Sequence, residues 1–194
     1  TMTLELTGIL EYIEQEISQF WPINKTITPD DVRGERNSLK DAVISDGWPS
    51  IDDSRGKAIF VLLARGNSRD LYLDAYPGLN GARMFTLSEE GSNESAIFSI
   101  ADPLGNQGEI SRLVGEGYIV RSRSDSGGEE ADSNDTARRD AAFESGAHSI
   151  STDYPGKVDG LEYWVEVPNG TPSRCNPISS PDWCTSEDIE HLSQ

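Results

Sequence analysis

The chain has 194 residues, a formal net charge of −18, 35% hydrophobic residues and 26% charged residues, which is the composition of one globular domain with a sizeable core. No apolar run approaches the ~18 residues needed to cross a bilayer. So large an acidic excess excludes non-specific nucleic-acid binding, which needs clustered Lys and Arg, and an anionic substrate would require a local basic pocket, a bound cation or both.

In chain order, "LTGILEYIEQEISQFW" places apolar residues at 6, 9, 10, 13, 17 and 20, the stripe of an amphipathic helix. "ITPDDVRG" reads as a turn. The paired aspartates of "PDD" (29–31) and "DDS" (52–54) read as helix caps or turns, not metal loops. "NSLKDAVISDGW" predicts a helix with Asn37 or Ser38 as N-cap and Gly47 as its stop. "KAIFVLLA" (57–64) is a continuous apolar run of strand length, the pattern of a parallel strand buried on both faces.

The pattern then recurs. "RMFTLS" (83–88) and "AIFSIAD" (96–102) predict strands, "GEISRLVGEG" (108–117) a helix and "YIVRSRSD" (118–125) a strand. "SDSGGEEADSND" (124–135) reads as a polar surface loop, "NDTARRDAAFESGA" (134–147) as a capped helix and "HSISTDYP" (148–155) as a strand. Short buried strands alternating with helices predict parallel β/α units. "GLEYWVEVP" (160–168) alternates like a half-exposed strand, and residues 168–194 form a tail. One domain over residues 1–194 is expected.

Cys175 and Cys184 are the two cysteines. They form no CxxC pair and have no neighbouring histidine ligands, so a disulfide closing the tail is expected, which favours an oxidising compartment. The sequons at Asn24, Asn93, Asn134 and Asn169 carry little weight. "TMTLELTGIL" lacks the basic and apolar regions of a signal peptide, leaving a cytosolic protein or a chain without its original N-terminus.

Alternate residues of a strand share a face, so Ile119, Arg121, Arg123 and Asp125 are expected on one side and Tyr118, Val120 and Ser122 on the other. In a β/α barrel the outer face packs on helices, which points the charged face inward at the barrel mouth. Ser149, Ser151 and Asp153 share that phase, and Asp102 also ends its strand. The guanidinium fork suits a phosphodiester, which makes Arg121 and Arg123 candidate phosphate ligands. Asp125 and Asp153 are candidates for sugar hydroxyls or a hard cation, and Tyr154 for stacking on a sugar ring. A rim of structural Arg–Asp pairs explains the same charges equally well. His148 begins its strand at the end away from the mouth and His191 lies in the tail, so neither is expected to act as an acid or base.

The segments "GYIVRSRSD" and "RRDAAFESGAHSISTDYP", with "ITPDDVRG", "GWPSIDDSRGKAIFVLLARG", "ARMF" and "SRCNP", resemble the secreted calcium-dependent phosphoinositide phospholipase C family of bacteria. The resemblance implies a (β/α)8 barrel of the phospholipase-C-like phosphodiesterases, of which this chain would cover about the C-terminal half. It implies acid–base cleavage of phosphatidylinositol, in which the inositol 2-hydroxyl attacks phosphorus and diacylglycerol leaves. A calcium cofactor would offset the phosphate charge, with ligands that the sequence does not identify. With that chemistry, the charges at the strand ends make Arg123 the candidate catalytic residue and Arg121, Asp125, Asp153 and Tyr154 candidates for binding substrate, and the likeness implies a secreted or periplasmic protein with transient membrane-surface contact. Eight strands take ~250 residues and this chain offers about half of them. The family's acid–base histidines have no counterpart in it. A missing N-terminal half or a dimer partner is therefore expected, the chain being a fragment, a processed product or a degenerate homologue.

Two other functions fit the same residues: a non-catalytic secreted module binding an anionic sugar or lipid headgroup, and a structural domain whose charges are rim pairs.

Overall fold

The computed structural model describes residues 2–168 and 172–190, the side chains of 2–5 excepted. Asn169 and His191 lie outside the described residues. The chain divides into two compact units, Thr1–Phe98 and Ser99–Gln194.

The first unit opens with α1 (Met2–Phe20), α2 (Pro29–Arg33), α3 (Leu39–Ser45) and α4 (Ile51–Ser54). It continues with β1 (Phe60–Leu62), α5 (Asn67–Ala75) and β2 (Met84–Thr86). On α1 the apolar stripe is only partly used: Leu10 is buried, whereas Ile9 and Phe20 are exposed. The expected turn at "ITPDDVRG" contains the helix α2, because Thr28 and Asp31 complete a reciprocal capping box and Pro29 is preset for the first helical position. Ser38 caps α3 by accepting the Asp41 amide at 3.0 Å. Gly47, at φ +78°, ends it and donates its N–H to Ala42 O at 3.1 Å. Ser50 caps α4 through Asp53, so the aspartates of "PDD" and "DDS" serve helix starts.

Strands β1 and β2 are parallel, with Phe60, Val61 and Leu62 opposite Met84, Phe85 and Thr86. All three β2 residues are buried, but β1 is half-buried and Leu63 is 61% exposed. The apolar run 57–64 is thus a three-residue strand with one face incompletely covered, not a strand buried on both faces. Helix α5 was not apparent in the sequence, since "NSRDLYLDA" has little apolar periodicity. Its anchor is Tyr72, 1% exposed, which accepts the Met84 amide at 3.2 Å and donates to Glu14 of α1. Burial first, and the Glu14 hydrogen bond second, push the Tyr72 pKa up and keep the hydroxyl a donor.

Strand β3 (Ile97–Ser99) runs across the division, followed by α6 (Pro103–Gly115), β4 (Ile119–Arg123), α7 (Glu129–Ser133), α8 (Ala137–Glu144), β5 (Ser149–Ser151) and α9 (Ser186–Ile189). The sheet order is β3-β4-β5, so sequence neighbours are spatial neighbours, and β4 and β5 pair in parallel. Ile110, Leu113 and Val114 recur at helical spacing on α6 and are fully buried, each contributing roughly 1.5–3 kcal/mol of apolar burial. Both α6 and α8 pack on β4. Val120 and Ser122 are buried while Arg121 and Arg123 are half-buried, the alternation the sequence predicts.

Two expectations fail in this unit. Residues 124–135 are not all loop: α7 forms there and buries Ala131. Residues 160–168 form no strand; Val165 makes one backbone bond to Tyr154 O at 2.9 Å, and the segment is anchored by the buried ring of Tyr163. The expected disulfide is present, joining Cys175 to Cys184 with Cα atoms 6.0 Å apart. No helix among the described residues is long and apolar enough to cross a membrane.

Candidate functional site

The parallel register sets Arg121 opposite Ser149 and Arg123 opposite Ser151. Arg121 Nε donates to Ser151 Oγ at 2.9 Å, and its Nη1 reaches Ser99 Oγ at 3.5 Å. One guanidinium is thus held by hydroxyls from the two flanking strands. No carboxylate pairs with it among the described residues. Burial first, then the neighbouring Arg123 charge, hold the Arg121 pKa below the usual arginine value. A cation so placed, partly desolvated and beside a like charge, leaves positive potential available to an anion.

Arg123 is more heavily engaged. Its Nε donates to the Asp125 carbonyl at 3.1 Å, and its Nη2 pairs with Asp153 Oδ2 at 3.1 Å. The Asp153 side chain is 67% exposed, so this pair sits at a solvated rim.

Asp125 stays within 3.9 Å of Arg123 Nη2 but does not share the half-buried face of the arginines that the strand alternation suggests. Strand β4 ends at Arg123, the alternation ends with it, and Asp125 turns inward to full burial. Its carboxylate accepts Ser124 Oγ at 2.8 Å, Thr152 Oγ1 at 2.6 Å and the Asp153 amide at 3.0 Å, with Arg123 Nη2 at 3.9 Å. It therefore ties the turn after β4 to the turn after β5. Tyr154 is half-buried, its ring edge-on to Tyr163 at 5.5 Å. A Cβ at Gly128, which has φ +94°, would lie 3.3 Å from Tyr154 Oη, so glycine permits this approach. Tyr163 donates to Ser124 O at 2.9 Å, and burial, followed by the Asp125 charge, pushes its pKa up to about 12.

The charged cluster that sequence reasoning missed joins Asp102, Glu130 and Arg138. Arg138 Nε pairs with Glu130 Oε1 at 2.8 Å and its Nη1 with Asp102 Oδ1 at 3.0 Å. Glu130 also accepts the Ser126 amide at 3.0 Å, which pins the turn carrying Asp125. Burial acts to raise the Glu130 pKa, but the amides of Ser126 and Glu130 and the Arg138 guanidinium outweigh it and hold the group below its ordinary value. The cluster depends on α7, which the Gly-rich acidic stretch does not advertise.

His148 Nδ1 accepts the Val120 amide at 3.2 Å one residue before β5 begins, at the end of the strand away from Ser151, which lies opposite Arg123. The family resemblance expects calcium. Among the described residues no three His, Cys, Asp or Glu side chains converge in a way that could hold a metal ion. Asp125, whose oxygens are already taken by protein donors, and the rim carboxylate of Asp153 do not by themselves make such a site.

The fold and site define a mixed α/β chain with two small parallel sheets, one of which carries paired arginines on one face of a strand. The family model described as calcium-dependent phosphoinositide phospholipase C matches residues 3–177, and the chain belongs to that family of phospholipase C enzymes. Comparison with curated proteins and with solved structures yields no match.

Proposed function

We propose that this chain forms the phosphate-binding side of a secreted phosphodiesterase that cleaves phosphatidylinositol into diacylglycerol and an inositol phosphate. The observation that carries this reading is Arg121, a partly buried guanidinium fixed by Ser99 and Ser151 and paired with no carboxylate among the described residues. Arg121 and Arg123 hold the two non-bridging oxygens of the phosphodiester. Charge grows on those oxygens as the inositol hydroxyl attacks phosphorus, so donors fixed in advance stabilise the transition state more than the ground state. Asp153 accepts headgroup hydroxyls at the rim and Tyr154 flanks the inositol ring, while Asp125 acts as a positioning residue for both.

The consecutive order β3-β4-β5 with helices between the strands supports a part of a (β/α)8 barrel. In this reading the chain is its C-terminal half, and a further segment or a partner supplies the acid–base groups and the calcium ligands. The disulfide supports an oxidising, extracellular compartment. A non-catalytic module binding an anionic headgroup is the second reading, favoured by the engagement of His148 Nδ1 with the backbone. Phosphatidylinositol turnover by the complete enzyme separates the two. Arg123→Ala lowers it by about 10²-fold or more with the melting temperature retained, and unchanged turnover overturns the enzymatic reading.

A further inference from the structure

A second site lies on the other face of β5. Ile150 alternates with Ser149 and Ser151, so it faces away from the side on which Ser151 meets Arg121. There it lines a cavity of about 360 Å³, a size within the ~300–1,000 Å³ of small-molecule sites. Phe143, Val165 and Val167 join Ile150 in the apolar wall, and Arg174 and His148 are polar residues of the lining, beside Thr152, Ser173 and Asn176.

Arg174 is unusual for a residue of so acidic a chain. It donates to the Phe143 carbonyl, and its guanidinium stands 5.0 Å from the centroid of the Phe143 ring. No carboxylate pairs with it among the described residues. Burial holds its pKa below the usual value. A half-buried cation without a counter-charge is costly unless an anion completes it. The position is held from the next residue, since Cys175 is bridged to Cys184. At His148, Nδ1 accepts an amide N–H, so the proton of the neutral ring resides on Nε2 and the ring offers one further donor.

Among the described residues lining the cavity Arg174 is the one Lys or Arg, and its charge together with the apolar wall sets the ligand chemistry. A phosphate monoester would bring a second negative charge with no second cation to meet it. A neutral lipid would leave Arg174 uncompensated. We propose that this cavity binds an amphiphilic monocarboxylate, its carboxylate on Arg174 and its hydrocarbon chain against Phe143, Ile150, Val165 and Val167. The site is separate from the Arg121–Arg123 face and does not depend on the function proposed there.

Titration of the oxidised full chain with sodium octanoate, followed by calorimetry and amide chemical shifts, tests the assignment. Saturable binding is expected, with shifts centred on residues 143–150, 165–167 and 172–177. Acetate, which lacks the chain, and octanol, which lacks the charge, bind at least about tenfold more weakly. Arg174→Gln weakens octanoate by about tenfold or more. Val167→Trp fills the cavity while keeping Arg174, and also abolishes binding; it decides the matter if Arg174→Gln fails to fold. The proposal is overturned by no saturable binding up to ~10 mM, by equal affinity for octanoate in the folded variants, or by shifts centred on Arg121 and Arg123.

Discussion

Arg123 and Asp153 pair at 3.1 Å where β4 and β5 end side by side, one side chain 31% exposed and the other 67%. Directly beneath this solvated pair lies the fully buried carboxylate of Asp125, which accepts the Asp153 amide. Two aspartates joined by one hydrogen bond therefore serve different ends, one at the rim and one in the frame.

That difference is measurable in stability. An exposed ion pair is worth about 0–1 kcal/mol, so Asp153→Ala shifts unfolding by less than about 1 kcal/mol. Asp125→Ala strands the Ser124 and Thr152 hydroxyls and the Asp153 amide, and costs about 2–4 kcal/mol. Urea unfolding of the two variants checks the ranking; equal effects would show that Asp125 is not the tie between the turns.

The disulfide closes a short loop with a sequence separation of 9. Loop-closure entropy for so short a span is about 2–3 kcal/mol. Because Arg174 precedes one cysteine and contacts Phe143, the loss on reduction is expected to fall on the tail. The Cys175→Ser, Cys184→Ser double variant should expose residues 172–190 to limited proteolysis while amide protection of α6 and β4 persists. Equal protection of the tail in both proteins would count against this.

Glu130 gives a pH dependence whose direction follows from its depressed pKa. A carboxyl with a lower pKa folded than unfolded adds stability above its unfolded value of about 4.5 and loses it as pH falls through the folded value. Wild type is therefore expected to exceed Glu130→Gln in stability at pH 7, and the gap should narrow as pH falls below about 4.5. Urea midpoints at pH 7 and in acid measure it. A gap that stays constant would mean that ionised Glu130 does not hold Arg138 and the Ser126 turn.

Much of this architecture is legible in the sequence because local rules decide it. The alternation of Val120 and Ser122 against Arg121 and Arg123 is a period-two signal that a helix-covered strand obeys. The caps at Ser38 and Ser50 are written in residues three positions apart. What the sequence hides depends on where elements stop. Asp125 continues the strand's phase on paper, yet β4 ends two residues earlier and its side chain turns inward. Arg138 meets Glu130 and Asp102 only once α7 has formed in a stretch whose composition reads as loop. The pairing state of Arg121 is likewise a matter of tertiary distance, since aspartates are plentiful nearby in sequence and none reaches it among the described residues.

Calorimetric titration of myo-inositol 1-phosphate into the protein and into Arg121→Gln measures whether the Arg121–Arg123 face binds phosphate. Arg121 is a guanidinium that no carboxylate pairs with among the described residues, and a charge-assisted hydrogen bond to an anion is worth about 1.5–3 kcal/mol. Saturable binding that weakens by about tenfold or more in Arg121→Gln, with the fold intact, is the predicted result. Equal affinity in the two proteins, or no heat at ~10 mM ligand with calcium present or absent, would contradict the assignment of this face to a phosphate.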